Sequence, residues 1–403
     1  MKKPARKILY TLLILAGVFA LVWLGAHLFT TNSQWARAVA WMDSDIDDYE
    51  RFPMRKVANA APRFDFKQPS AAIRQRYAQA FATVTSTHGG KTSGQGLDEF
   101  LEQNDTVAFL VIHHDTLLYE KYFNGYGHDS TVTSFSTAKS FVSALVGIAI
   151  AEGRIGSVED PVTKYVPELL QKDPRFQHIT LRHLLTMASG IQYEENGTPW
   201  GDDARTYYSP DLRAQAISSP VTGKPGQEFN YNNYHPLLLG LVLERVTGGP
   251  VAKYLEERIW KPLGMEAPGS WSLDSEKNGF EKMESGINGR AIDFAKFGRL
   301  FLNDGNWNGA QLVPAGWVEE STRLDATTDP VPYYQYFWWV NPDASGHHFF
   351  ASGNHGQKIY IVPEKDLIFV RFGKSDPYRH WEDLFEILAD RITAVDASLP
   401  RKH

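Results

Sequence analysis

The sequence predicts an α+β fold: one antiparallel sheet assembled from both ends of the chain, flanked by helices, with a mainly helical region inserted between its two halves. Three observations predict it. Strand-forming runs appear near residue 106 and again near residue 350. Apolar helical segments fill the stretch between them. A chain of 403 residues with 43% apolar and 13% aromatic content can bury one large core.

The chain begins with a basic head, Lys2, Lys3, Arg6 and Lys7, followed by a charge-free run over residues 8–26. At ~1.5 Å rise per residue a helix of that length spans a bilayer core. Positive charge on the leading side places the N-terminus in the cytoplasm. A cleaved signal peptide has a shorter apolar core that ends in small residues, and Leu24-Gly25-Ala26-His27 is a poor cleavage site. Residues 1–30 are therefore expected to be an uncleaved, single-pass inner-membrane anchor, with the rest of the chain periplasmic or extracellular. Residues 31–94 read as a stalk and lead-in segment. They hold Pro53, Pro62, Pro69, an acidic cluster, a short helix near 71–83 and a Gly/Ser/Thr-rich run over 83–96. Residues 95–403 are the expected catalytic domain.

Residues 107–112 form a strand by β-branched and aromatic content. His113-His114-Asp115 turns the chain, residues 116–122 return, and Asn124-Gly125 ends the hairpin. Ser134-Phe-Ser-Thr-Ala-Lys139 then opens a helix that runs to Ile150 and stops at Gly153. It is apolar on nearly every face, which requires central burial, and its leading Ser and Thr suit a helix N-terminus. Helices follow over 181–187, 235–247 and 291–303. Strands at 348–351, 358–362 and 367–372 make a meander with a turn at 363–366, and an amphipathic helix over 380–395 closes the chain. A cleft between sheet and helical region is the expected site, with loops 193–208 and 333–339 as its walls.

Composition excludes several chemistries. A net charge of −6 gives no basic face for nucleic acid. The absence of cysteine removes disulfides, thiolate zinc sites, cysteine nucleophiles and lipoprotein anchoring. The pairs His113-His114 and His347-His348 flank strands and have no H-E-x-x-H context. No G-x-S-x-G elbow or phosphate loop occurs. Asp293 and Glu284 have no partner at a telling spacing.

Three motifs carry chemistry. In Ser136-Thr-Ala-Lys139, positions i and i+3 share one helix face, so hydroxyl and amine can meet. The helix N-terminus stabilises charge on the serine oxygen, and loss of hydration favours a neutral amine, a general base. A capping serine with a snorkelling lysine explains the same pattern. In Tyr231-Asn232-Asn233, the phenol can shuttle a proton and Asn233 can bind a substrate carbonyl; a loop tyrosine before a helix is the plain alternative. Tyr122-Phe123-Asn124 is a rival, but it ends a strand ahead of the serine. In Gly353-Asn354-His355-Gly356-Gln357, glycines allow close backbone approach, and a Gln357 amide can pair with the Ser136 amide as an oxyanion hole; taken alone, the motif reads first as a simple β-turn.

Taken in this order, the motifs resemble the serine β-lactamase and penicillin-binding-protein superfamily. The nearer likeness is to class C-type β-lactamase-related hydrolases, which include esterases, D-aminopeptidases and aminohexanoate-oligomer hydrolases. Residues 106–126, 179–190, 225–240, 261–265 and 291–309 are similar as well, so the resemblance covers roughly 95–395. It implies a β-lactamase/transpeptidase-like fold, Ser136 as acylated nucleophile, Lys139 and Tyr231 as proton-transfer pair, Gln357 as second oxyanion amide, and no metal or organic cofactor. Two departures stand out. Asn232 replaces a common serine. The third box reads Asn354-His355-Gly356 where K-T-G or H-x-G is usual, so the lysine that pairs with a β-lactam carboxylate is missing; His355 can offer a donor from a shifted position. The expected substrate is a small ester, amide or short peptide. The alternatives are a D,D-peptidase or D-aminopeptidase acting on cell-wall fragments, and a slowly deacylating binding sensor. Oligomeric state is not readable.

Overall fold

The computed structural model describes residues 3–29, 33–88, 91–324 and 330–398. Lys2 of the basic head, residue 30 at the end of the expected anchor, residues 31–32 at the start of the expected stalk, and Gly89-Gly90 of the glycine-rich run lie outside the described residues.

A seven-stranded sheet forms the centre, in the order Tyr334–Gln335, Trp338–Val340, Phe349–Gly353, Gln357–Val362, Leu367–Gly373, Thr106–His113, Thr116–Tyr122. Every neighbouring pair is antiparallel. The two chain ends meet where Leu367–Gly373 pairs with Thr106–His113. Both faces of the sheet are covered. Leu110 and Ile112 join the core around the helix Ala138–Ala151, whereas Phe109 and Val111 pack with the closing helix Trp381–Ala397. Burial on both sides is why the central strands Thr106–His113 and Leu367–Gly373 read as near-continuous apolar runs. The α+β architecture expected from the sequence is present.

The helix Ala138–Ala151 is buried from Ala138 to Ala149. Phe141 stacks on Phe297 of the helix Ala291–Leu302, with ring centroids 3.6 Å apart. The helix Tyr234–Thr247 packs beside them and stops at Gly248, whose φ of 74° supplies the left-handed turn that a helix end favours.

A second sheet has four strands, in the order Met54–Val57, Gly269–Ser272, Ile287–Gly289, Val132–Thr133. Its last strand leads straight into the Ser136 turn, so this sheet fixes the start of the central helix. Residues 33–88 pack against the later chain. Met54–Val57 pairs with Gly269–Ser272, and Ile46 and Phe66 lie in the main core. Ahead of them runs the helix Lys3–Phe29. Its Arg6–Gly25 portion is long and apolar enough to cross a membrane, and none of its residues is buried, although Phe19 reaches the cleft beside Ser136.

Candidate active site

Ser136 sits in a 3-10 turn, Phe135–Thr137, immediately ahead of the helix Ala138–Ala151. Phe135 has a φ of 48°, a costly conformation for a bulky residue. Its buried ring is held edge-on to His355 at 5.1 Å. The turn leaves Ser136 half-buried on the wall of a cleft of about 880 Å³. One helical turn on, Lys139 is 1% exposed. Its Nζ donates to Ser136 Oγ at 2.8 Å and to the Glu284 main-chain oxygen at 3.0 Å. The i, i+3 spacing thus brings hydroxyl and amine together away from bulk water.

Tyr231 closes the third side. Lys139 Nζ lies 4.9 Å from its ring centroid. Trp339 stacks on the ring at 5.9 Å and Tyr334 meets it edge-on at 6.0 Å. Ser136, Tyr231 and Trp339 all line the cleft. Asn233 lines it too. Its Nδ2 donates to Tyr193 Oη at 2.7 Å, while its buried Oδ1 has no hydrogen-bond partner among the described residues. Asn232 turns inward: Nδ2 reaches the Ile191 carbonyl at 3.0 Å and Oδ1 accepts from the Tyr234 amide at 2.8 Å. The rival Tyr122 and Asn124 are absent from the cleft wall, and Asn124 bonds to the Thr106 carbonyl at 2.9 Å.

The third motif is arranged differently from its sequence reading. The cleft wall is made by Ser352, Gly353 and Asn354; His355, Gly356 and Gln357 do not line it. Gln357 is fully buried, and its side chain clasps Gly373, donating to the carbonyl at 2.7 Å and accepting from the amide at 2.9 Å. Gly356, with a φ of 74°, completes the turn. The His355 ring bonds to the Ser44 carbonyl at 2.9 Å. Gly353 is the close approach: a Cβ there would lie 2.6 Å from the Ser134 oxygen and 3.1 Å from the Ser136 nitrogen.

Several contributors had no sequence signal. Lys282 and Glu284 form a buried ion pair at 3.0 Å, each no more than 2% exposed, and Ser285 Oγ adds a hydrogen bond to Glu284 Oε1 at 2.8 Å. Burial lowers the Lys282 pKa against the pull of Glu284. This pair braces the backbone whose carbonyl holds Lys139. Loop 193–208 forms another wall, as expected, and adds Glu195 and Asp203. Burial pushes both carboxyls up in pKa, while Lys139 acts in the opposite sense. With Asp43, three acidic side chains line the cleft beside the buried Glu284 and, among the described residues, no lysine or arginine lines it.

Below Tyr231, His235 is buried against Ser189 Oγ at 2.6 Å. Burial, with the Lys139 and His183 charges adding to it, pulls this imidazole down to about 3. The unfolded chain binds a proton here near pH 6.5 and the folded chain does not. Stability tied to His235 is therefore complete above pH 6.5 and lost as pH falls toward 3, by up to about 1.4 kcal/mol per pH unit. Thermal melts of His235→Gln are expected to show a shallower acid slope than wild type over that window.

Fold and site together define a serine hydrolase. The chain belongs to the beta-lactamase family, whose model matches residues 95–389. It is 29% identical over 377 residues to the 6-aminohexanoate-dimer hydrolase of Paenarthrobacter ureafaciens, covering 87% of this chain and 94% of that protein. The solved structure of a candidate 6-aminohexanoate-dimer hydrolase from Bacillus anthracis superposes with a TM-score of 0.75 at 26% identity, covering 89% of this chain and 95% of that one. A D-stereospecific amidohydrolase from Streptomyces sp. superposes with a TM-score of 0.56 at 20% identity, over 79% of this chain and 98% of that one, and so shares the fold.

Proposed function

We propose that the protein hydrolyses an amide or ester through an acyl-enzyme on Ser136, with Lys139 and Tyr231 as the proton-transfer pair. The observation that carries this reading is the 2.8 Å contact between Lys139 Nζ and Ser136 Oγ. Ser136 Oγ attacks the substrate carbonyl while its proton passes to the Lys139–Tyr231 pair. The pair then protonates the leaving amine or alkoxide as the C–N or C–O bond breaks. Water attacks the ester, releases the acid and returns the proton to Ser136. The Ser136 amide at the helix start suits one oxyanion donor. The Asn354 amide suits the second better than Gln357, because Asn354 lines the cleft and Gln357 does not. Asn233, a polar residue on the cleft wall, suits a contact to the substrate amide.

An acyclic amide is favoured over a β-lactam. No basic side chain among the described residues lines the cleft to receive a β-lactam carboxylate, whereas the acids Asp43, Glu195 and Asp203 do line it. Benzylpenicillin is expected to turn over at least about 100-fold slower than an uncharged linear anilide, since like-charge contact costs several kcal/mol. Similarity to a 6-aminohexanoate-dimer hydrolase supports the linear-amide reading. A screen across short esters, D-amino-acid peptides and linear amides tests it. Turnover confined to D-peptides would favour a cell-wall peptidase, and a labelling burst without turnover would favour an acylated sensor.

The helix Lys3–Phe29 is read as an uncleaved anchor, its N-terminus cytoplasmic and the hydrolase on the outer side.

A further inference from the structure

We propose that the cleft opens against the outer leaflet of the membrane and takes an amphiphilic amide or ester from the bilayer itself. This rests on the anchor and hydrolase readings above and adds where the substrate comes from.

Three large apolar side chains stand exposed at one rim of the cleft: Trp35 at 53%, Met42 at 69% and Trp200 at 58%. The two tryptophans form a connected pair. The Trp35 and Trp200 rings lie 6.1 Å apart, and Gln34 Nε2 donates to the Pro199 carbonyl at 3.2 Å, tying the two segments together. Met42 and Pro199 themselves line the cleft. Clustered exposed tryptophans on a charged chain call for a partner, and tryptophan favours the headgroup region of a membrane, where its ring is half-solvated.

Chain continuity identifies that partner as lipid. Trp35 follows the helix Lys3–Phe29 so closely that even an extended link holds it within about 20 Å of the helix end. The reach is closer still, because Phe19, inside the apolar Arg6–Gly25 stretch, lines the cleft. At ~1.5 Å per residue Phe19 lies about 9 Å below the outer end of that stretch. A cleft lined by Phe19, itself 62% exposed, therefore opens toward the leaflet, and an acyl chain can pass from the leaflet toward Ser136.

The absence of cysteine makes the test direct. Single Trp200→Cys, Leu13→Cys and Ile387→Cys variants of the full chain are labelled with a nitrobenzoxadiazole and reconstituted in phosphatidylglycerol/phosphatidylethanolamine nanodiscs. The Trp200→Cys label is expected to be quenched about twofold or more by lipid spin-labelled near the headgroup. The Leu13→Cys label should respond most to lipid spin-labelled at the chain end, and the Ile387→Cys label to neither. An unquenched Trp200→Cys label beside a quenched Leu13→Cys label would overturn the proposal and leave the anchor standing; both unquenched would remove both. Energy transfer between Trp200→Cys labels without lipid quenching would assign the patch to a second copy, and also overturns the proposal. For the substrate, the kcat/KM ratio of a bilayer-partitioned long-chain anilide to a soluble short-chain anilide should fall about tenfold in Trp35→Ser/Trp200→Ser. An unchanged ratio would sink delivery from the bilayer.

Discussion

Ser136→Ala and Lys139→Met are each expected to lower kcat on a linear amide by about 10⁴-fold or more, and the double variant to be no worse than the poorer single one. Residues that act as one unit in a nucleophilic mechanism lose their effect together. Here the unit is explicit: Lys139 Nζ holds Ser136 Oγ at 2.8 Å and is itself held by the Glu284 carbonyl. A capping serine with a structural lysine would predict separate stability losses and little change in rate. Measuring kcat with thermal melts distinguishes the two. Lys139→Met is the sharper variant, because methionine fills the buried path without carrying a proton.

Gly353→Ala is expected to cost about 100-fold in kcat/KM while the protein still folds. The added methyl would lie 2.6 Å from the Ser134 oxygen and 3.1 Å from the Ser136 nitrogen, both main-chain atoms that cannot swing aside. Either the strand Phe349–Gly353 moves outward or the serine turn moves inward, and displacement of about 1 Å at a reacting centre carries a penalty of that order. Burst kinetics with an activated ester should place the loss in acylation. Wild-type rates in Gly353→Ala would show that the strand and serine turn need not be held in register.

The sheet and central helix are legible in the sequence because burial leaves a strong mark. A strand covered on both faces becomes an unbroken apolar run, as in Thr106–His113, and a helix apolar all round, as in Ala138–Ala151, can only be central. The serine and lysine lie three residues apart where the turn Phe135–Thr137 runs into the helix Ala138–Ala151, so local geometry suffices to join them. The second sheet leaves little mark, since Val132–Thr133 and Ile287–Gly289 are too short to show a period. The part that Met54–Val57 plays in that sheet is hidden for the same reason.

In the third motif, glycines announce a turn, but which residues face the cleft depends on the hairpin register that pairs Gly353 with Gln357. Register cannot be counted from glycines alone, and a small slip changes the residues presented. The Lys282–Glu284 pair and the acids Glu195 and Asp203 owe their position to tertiary folding, which brings separate loops against one lysine.

Intact-mass analysis after a fluorophosphonate tests the central claim most directly. A single covalent adduct is predicted on the wild-type chain, mapping to the peptide that contains Ser136, absent from Ser136→Ala and strongly slowed in Lys139→Met. An adduct that survives Ser136→Ala, or no adduct on a chain that still turns over amides, would contradict a serine acyl-enzyme at this position.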